Sequence, residues 1–266
     1  MKFAFMNLGC PNWSLEQTAE MASLYGYDGV ELRSAPDNQI LFPDAPLTHR
    51  LRVKETFEKR GLKICAVAAY SRFSFSDESG FDENRKILTN DIILARDLGA
   101  PVVRSFLGEN KELTHSQIIK QAAPYINYCC DFAADLGITV AFETHDMWCR
   151  SEPIREAFDA ITSAGASVLW DAGNNFLAGE PFEKFFAAAG SRCSHVHIKD
   201  MILLPDGGHK YTLPGEGSVP FGECFDLLRK NGYAGYVTFE WEKRWHPELE
   251  EPEAAFPAFI QYVKGL

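Results

Sequence analysis

The stretch ITVAFE at residues 138–143 is an apolar run that ends in an acid, and this pattern decides the expected fold. Three later stretches repeat it, each with an acid or a histidine at or near its end: VLWD at 168–171, HVHIKD at 195–200 and YVTFE at 236–240. Polar groups at the carboxyl ends of successive parallel strands converge at one mouth of a barrel, where such barrels keep their chemistry. The repeat therefore predicts a barrel of parallel strands with one functional site.

Outward from these stretches, the chain alternates between apolar runs and helical patterns. Earlier strands are expected at 3–8, 29–33, 63–69 and 102–107. Helices are expected near 15–25 (where Ser14 and Gln17 have the spacing of a capping box), 47–59, 83–98, 116–136, 154–163, 182–188, 221–230 and 252–263. Eight such units without a linker predict one α/β domain over residues 1–266, a single (β/α)8 TIM barrel with parallel strands. A doubly wound open sheet is the alternative, but it would normally collect its ligands at one switch point.

The composition excludes several classes of partner. The chain has 266 residues, 46% of them hydrophobic, and a formal net charge of -11. Nucleic acid and anionic membranes both require a strongly basic face, so neither is an expected partner. Seven cysteines without a paired metal motif indicate reduced thiols in a cytoplasmic protein, and no run is long enough to cross a bilayer. The oligomeric state stays open, with a homo-oligomer among the options.

The four ligand-type side chains at these strand ends form the strongest functional signal: Glu143, Asp171, His197 and Glu240. A single one of them could be a solvated rim residue, but four on successive strands indicate a site. Three carboxylates and an imidazole would repel one another unless a cation lay among them. We therefore expect one divalent metal ion, with Mn²⁺ or Mg²⁺ favoured by the carboxylates and Co²⁺ or Zn²⁺ allowed by the imidazole.

The chain resembles the xylose-isomerase-like TIM barrel superfamily, which includes sugar (phosphate) isomerases and epimerases, inosose dehydratases and endonuclease IV. The motifs that carry the resemblance are YDGVELR at 27–33, FETH at 142–145, HVHIKD at 195–200 and FEWE at 239–242. The resemblance implies that Glu143, Asp171, His197 and Glu240 bind the metal. It also implies that Glu143 and Glu240 serve as acid and base on opposite faces of the substrate.

That chemistry has an independent physical basis. Removing a proton beside a carbonyl leaves an enediolate, whose charge a metal stabilises by chelating the carbonyl and its neighbouring hydroxyl. A carboxylate on each face can take a proton from one carbon and return it to the same or the next carbon. The expected substrate is a small carbohydrate or a related hydroxy-carbonyl compound.

Three positions depart from the ketose 3-epimerases of that superfamily, which carry a glutamate, a histidine and an arginine where this chain has Cys149, Asn174 and Leu203. We therefore expect a different set of substrate contacts, formed by Asn174 together with His145, Lys199 and Arg104. Long loops at 34–46, 70–82 and 202–220 suit the walls of a pocket. Two further residues have structural interpretations: His195 as a satisfied core histidine and Glu31 as a hydrogen-bonding wall residue.

A metal-dependent isomerase or epimerase is the leading functional hypothesis. An inosose-type dehydratase is the first alternative, because the same enediolate can expel a β-hydroxyl. An endonuclease IV-like phosphoesterase is disfavoured, since it requires several metals and many histidines, and this chain has seven. A non-catalytic sugar-binding barrel is the remaining alternative, although binding alone does not require two glutamates.

Overall fold

The computed structural model describes residues 1–266 and confirms the predicted (β/α)8 TIM barrel. Eight parallel strands close in the order β1-β2-β3-β4-β5-β6-β7-β10, and β10 pairs with β1. The strands are β1 Lys2–Met6, β2 Gly29–Arg33, β3 Lys63–Ala68, β4 Val102–Phe106, β5 Thr139–Glu143, β6 Ala166–Asp171, β7 Cys193–Ile198, β8 Asp200–Leu203, β9 His209–Thr212 and β10 Tyr236–Phe239. Strands β8 and β9 form a separate antiparallel hairpin outside the barrel.

Nine α-helices connect and cover the barrel strands. They are α1 Leu15–Tyr25, α2 Leu47–Glu58, α3 Glu78–Leu98, α4 His115–Asp135, α5 Ser151–Ala160, α6 Ala172–Leu177, α7 Phe182–Ala189, α8 Phe221–Lys230 and α9 Pro252–Lys264. The main hydrophobic core contains 68 buried residues contributed by strands and helices, as expected for helices packed around a barrel. None of these helices is both long enough and apolar enough to span a membrane.

The interior of the barrel is divided into an apolar layer and a polar layer. Ala66, Val102, Ala141 and Leu169 form a small apolar cluster contributed by four neighbouring strands. Side chains alternate along a strand, so the residues two places further on point into the barrel nearer its carboxyl end. On β5 and β6 those residues are Glu143 and Asp171. The alternation thus places ligand-type side chains at the mouth of the barrel, above the apolar layer of Ala66, Val102, Ala141 and Leu169.

Several element boundaries differ from the sequence-based prediction. Strand β1 ends at Met6 because residues 7–9 turn into a 3-10 helix, and β7 ends at Ile198 because the chain then enters the β8–β9 hairpin. Helix α3 starts at Glu78, where Asp77 caps it by accepting from the backbone N–H of Gly80. The short helix α6 was not predicted; Asp171, at the end of β6, caps it.

The predicted capping box of α1 is only half formed. Ser14 accepts a hydrogen bond from the backbone N–H of Gln17, but the Gln17 side chain does not accept the reciprocal bond from the backbone N–H of Ser14. A complete capping box occurs instead on α4, between Thr114 and Gln117. All seven cysteines are free thiols.

Candidate metal centre and active site

The four ligand-type residues converge at the carboxyl end of the barrel. Glu143 ends β5, Asp171 ends β6, His197 lies on β7 and Glu240 directly follows β10. These strands are consecutive around the barrel, and one ligand atom from each residue lies within 4.8 Å of the other three. All four residues are buried. That they bind a metal or take part in catalysis stays a prediction.

The donor set fits a divalent cation. Three carboxylates and one imidazole are the ligands that Mn²⁺, Co²⁺ and Zn²⁺ accept. Two atoms of these residues, Glu143 Oε2 and His197 Nδ1, are buried without a hydrogen-bond partner, although each lies within 3.5 Å of a group of opposite charge. A buried polar atom without a partner carries a desolvation cost of ~1–3 kcal/mol, which a bound cation would offset.

Lys199 supplies part of the positive charge that these carboxylates require. Its Nζ atom lies 2.6 Å from Glu240 Oε2, 2.9 Å from Asp171 Oδ2 and 2.8 Å from Glu242 Oε1. Burial disfavours the charged ammonium, but the surrounding carboxylates outweigh it and raise the pKa of Lys199 well above its usual value. Burial also opposes ionisation of Glu240, yet Lys199 and His197 hold the pKa of Glu240 well below its usual range. The lysine is therefore ionically bonded to two of the candidate ligands.

Glu31 orients the imidazole of His197. Its Oε2 atom accepts hydrogen bonds from His197 Nε2 at 2.8 Å and from His195 Nε2 at 2.9 Å, and His195 Nε2 also lies 2.8 Å from Thr238 Oγ1. Burial opposes ionisation of Glu31, but the two histidines outweigh it and depress its pKa. Because a carboxylate only accepts, Nε2 of His197 carries a proton and Nδ1 faces the ligand cluster. His195 is buried, and both hydrogen bonds of its ring are formed by Nε2.

Glu143 adjoins one guanidinium group and one side-chain amide. Arg104 on β4 approaches Glu143 Oε2 to 3.4 Å, and Asn174 Nδ2 lies 3.5 Å from Glu143 Oε1 while donating to the Thr144 carbonyl at 3.0 Å. Burial raises the pKa of Glu143 to about 7, against the opposing charge of Arg104. Burial likewise raises the pKa of Asp171, offset in part by Lys199. Arg104 and Asn174 therefore adjoin the ligand cluster, where they can contact a substrate bound beside Glu143.

His145 lies at the rim of the site. Its Nδ1 bonds Asp146 at 2.9 Å, which raises the pKa of His145 to about 9, and its ring packs edge-on against Phe106. Asp146 adopts a left-handed backbone (φ 52°), the only non-glycine residue here with positive φ. Such strain is often found at functional sites. The imidazole borders a cavity of ≈ 440 Å³ that Tyr70 also lines.

Two of the positions at which the sequence departs from ketose 3-epimerases, Cys149 and Leu203, differ in burial. Cys149 is buried, and its carbonyl accepts a hydrogen bond from the Asn175 side chain. Leu203, at the end of β8, is 55% exposed, so it presents an apolar side chain to solvent.

Sequence reasoning assigned no role to Glu242, which bonds both Lys199 and the Tyr211 hydroxyl. Strand alternation from Glu240 could have placed its side chain on the same face. It also missed Arg33, whose aromatic partners Tyr70 and Trp245 come from loops distant in sequence. No local pattern could have brought those partners together.

Curated relatives with similar sequences act on sugars and cyclitols by name. The chain is 24% identical to an inosose isomerase of Bacillus velezensis, covering 86% of this chain and 84% of the relative. It is 22% identical to a fructoselysine 3-epimerase of Shigella flexneri, covering 90% of each. It is 25% identical to an inosose dehydratase of Bacillus thuringiensis, covering 97% of this chain and 92% of the relative.

Solved structures share the fold over the full length. A crystal structure of the IolI protein with a bound zinc atom superimposes with a TM-score of 0.84 at 20% identity, covering 100% of this chain and 97% of the other. The model of the xylose isomerase-like TIM barrel family matches residues 19–263, nearly the entire chain. These matches, together with the closed barrel, show that the chain belongs to the xylose isomerase-like TIM barrel family.

Proposed function

We propose that this chain is a metal-dependent isomerase or epimerase that transfers a proton on a small sugar, sugar phosphate or related hydroxy-carbonyl compound. One observation carries the proposal: two buried glutamates, Glu143 and Glu240, flank Asp171 and His197 at the barrel mouth. A site that only bound a sugar would not require two buried carboxylates beside a third. The names of the curated relatives support the same class of reaction.

Glu143, Asp171, His197 and Glu240 would hold the divalent ion. When bound, the ion would act as a Lewis acid toward adjacent carbonyl and hydroxyl oxygens of the substrate. Metal analysis of purified protein loaded with Mn²⁺, Co²⁺ or Zn²⁺ should find about one ion per chain, since the four ligand groups form a single cluster. Two or more ions per chain would favour a multi-metal phosphoesterase instead.

The protein's own groups would then move the proton. One of the two glutamates removes the proton from the carbon beside the carbonyl, which leaves an enediolate. The other glutamate, three strands away around the barrel, returns a proton to the same carbon for epimerisation or to the next carbon for isomerisation. Isomerisation also moves the proton of the neighbouring hydroxyl to the former carbonyl oxygen. Arg104, Asn174 and His145 donate hydrogen bonds to substrate oxygens and fix its orientation. The three N–H groups of Lys199, which the sequence also predicts to contact substrate, already face Asp171, Glu240 and Glu242, so Lys199 acts through these carboxylates.

A dehydratase is the second candidate, because inosose dehydratases are among the relatives that cover nearly the whole chain. The same proton abstraction would be followed by loss of a β-hydroxyl. Both reactions use the same two glutamates, so the ligand cluster does not separate them.

The experiment is proton exchange followed by NMR. Metal-loaded protein in D₂O is incubated with ketoses, ketose phosphates and inososes, and the Glu143→Gln variant with verified metal content is the control. Deuterium incorporation with a new isomer supports the proposal, whereas water loss identifies a dehydratase. Absence of exchange with every substrate class would refute proton-transfer chemistry.

The same panel tests the expected substrate range. Cys149, Asn174 and Leu203 replace polar side chains of ketose 3-epimerases, and each lost polar contact weakens transition-state binding by ~1–3 kcal/mol. Free fructose, tagatose and psicose should therefore be poor substrates, by a few orders of magnitude in kcat/KM. If one of them has the highest kcat/KM of the panel, the expected substrate range is wrong.

A further inference from the structure

A second cavity adjoins the barrel mouth over the ends of β2 and β3. It has a volume of ≈ 550 Å³, within the range of small-molecule sites, and Arg33, Asp37, Tyr70, Asp91 and Trp245 are among its lining residues. Tyr70 lines both this cavity and the cavity beside His145. The cavity therefore lies next to the candidate active site but, apart from Tyr70, is formed by residues that the site does not use.

A series of contacts between guanidinium groups and aromatic rings runs from the cavity to Glu143. The Arg33 guanidinium carbon lies 5.4 Å from the Trp245 ring centre and 5.5 Å from that of Tyr70. The Arg104 guanidinium carbon lies 5.1 Å from the same Tyr70 ring, and Arg104 Nε is 3.4 Å from Glu143 Oε2. Arg33 thus contacts the same aromatic ring as Arg104, whose guanidinium adjoins Glu143.

Arg33 is a buried hydrogen-bond donor whose orientation is fixed by its contacts. Its side chain is only 4% exposed, with Nε donating to the Tyr70 hydroxyl at 2.7 Å and Nη2 to Asp37 at 3.2 Å. Its remaining nitrogen, Nη1, makes no hydrogen bond within the protein and is not among the fully enclosed polar atoms without partners. A guanidinium stacked on aromatic rings keeps its edge free, and that edge matches carboxylate and phosphate oxygens.

The local charge also favours an anion, although the whole chain carries -11. Arg33 and Lys86 line the cavity, and Arg244 pairs with Asp37 at its edge. Asp37 is bridged by two guanidinium groups, and burial raises the pKa of Asp91 to about 7, which reduces its negative charge near neutral pH. Cationic groups therefore outweigh the carboxylates in this cavity.

We propose that the cavity is a specificity subsite in which Arg33, held by Tyr70 and Trp245, binds an anionic carboxylate or phosphate group of the substrate. This inference rests on the proposed function and narrows its substrate class to acidic or phosphorylated hydroxy-carbonyl compounds. The reacting carbons lie at the glutamate pair, and the charged end lies beyond Tyr70.

The test is titration calorimetry on the metal-loaded protein with three probes: D-fructose, D-fructose 6-phosphate and a ketohexuronate. At least one anionic probe should bind about tenfold or more tightly than fructose, the effect of one charge-assisted hydrogen bond. The stronger of the two anions identifies whether the subsite takes phosphate or carboxylate. Equal affinity for all three probes would overturn the inference.

Variants assign that preference to Arg33. Arg33→Met should remove the preference for an anionic probe over fructose, and Arg33→Lys should keep only part of it, because lysine lacks the planar fork. Arg52→Met is the control, since Arg52 forms an exposed pair with Glu16 away from the barrel mouth. A preference that survives unchanged in Arg33→Met or Arg33→Lys would refute the role of Arg33.

Deuterium exchange separates the two proposals. An anion preference without exchange would leave the subsite in place and refute the isomerase. Deuterium exchange on a neutral ketose that binds as tightly as its anionic counterparts would support the isomerase and refute the anion subsite.

Discussion

Replacing Lys199 by methionine should weaken the metal-free protein and strengthen its binding of a metal. The change removes the ammonium but keeps a side chain of similar length, so Asp171, Glu240 and Glu242 lose a cation that lies within 2.9 Å of each. Removing one partner of a buried ion pair costs ~3–5 kcal/mol. At roughly 2–4 °C per kcal/mol for a chain of this size, Tm should fall by about 10 °C.

The effect on metal affinity has the opposite sign. Two like unit charges 4 Å apart repel by about 4 kcal/mol at an effective dielectric constant of 20, and a divalent ion among these carboxylates would feel the ammonium of Lys199 in this way. Part of that gain is lost because Lys199 also holds Asp171 and Glu240 in position. We therefore expect Mn²⁺ or Co²⁺ to bind Lys199→Met at least tenfold more tightly.

The assay is thermal unfolding by circular dichroism, with and without metal, combined with calorimetric titration of the ion. Saturating metal should raise Tm by more in Lys199→Met than in the wild type. Lys243→Met is the matched control, because Lys243 is also a buried lysine but bonds the Pro247 and Leu249 carbonyls and Glu251. It should lose stability without a change in metal affinity. The reasoning is refuted if metal-free Lys199→Met is as stable as the wild type, or if metal stabilises both equally.

Three further predictions concern other buried acids. Glu31→Gln should weaken metal binding about 10–100-fold in calorimetric titration, because Glu31 holds the ring of His197 with Nδ1 toward the ligand cluster; unchanged affinity would show that the orientation does not depend on this carboxylate. Glu143→Gln and Glu240→Gln should each abolish turnover while circular dichroism shows a native fold, and near-normal turnover by either metal-loaded variant would refute the two-glutamate mechanism. Asp91 should lower the free energy of unfolding as the pH rises from about 4 to about 7. In the folded chain the Asp91 carboxyl keeps its proton up to about pH 7, whereas in the unfolded chain it releases that proton near its ordinary pKa of 3.8. Asp91→Asn should thus gain roughly 2–4 kcal/mol over the wild type at pH 8 in urea unfolding and little at pH 4; an equal difference at both pH values would contradict this.

The approximate positions of the barrel strands follow from local patterns in the sequence. Apolar runs ending in Glu143, Asp171 and Glu240 predict barrel strands because a buried parallel strand must be apolar along its length. The boundaries were less accurate where two local options compete. The chain after Ile198 could continue as one strand, but the Asp200 carboxylate accepts backbone N–H groups from Gly215 and Gly217. These hydrogen bonds hold the loop around Gly215 against Asp200, where the separate β8–β9 hairpin begins.

The sequence by itself determined which side chains point to the mouth of the barrel, because strand alternation and the closure of parallel strands bring successive strand ends together. It thereby predicted that Glu143, Asp171, His197 and Glu240 would converge, as they do in the structure. Only the tertiary structure decided which charges pair. Lys199 bonds a carboxylate from a neighbouring strand on either side, and Arg33 meets rings from loops 37 and 212 residues further along the chain. Such contacts depend on how loops pack across the barrel, and the residue spacing within one segment does not predict them.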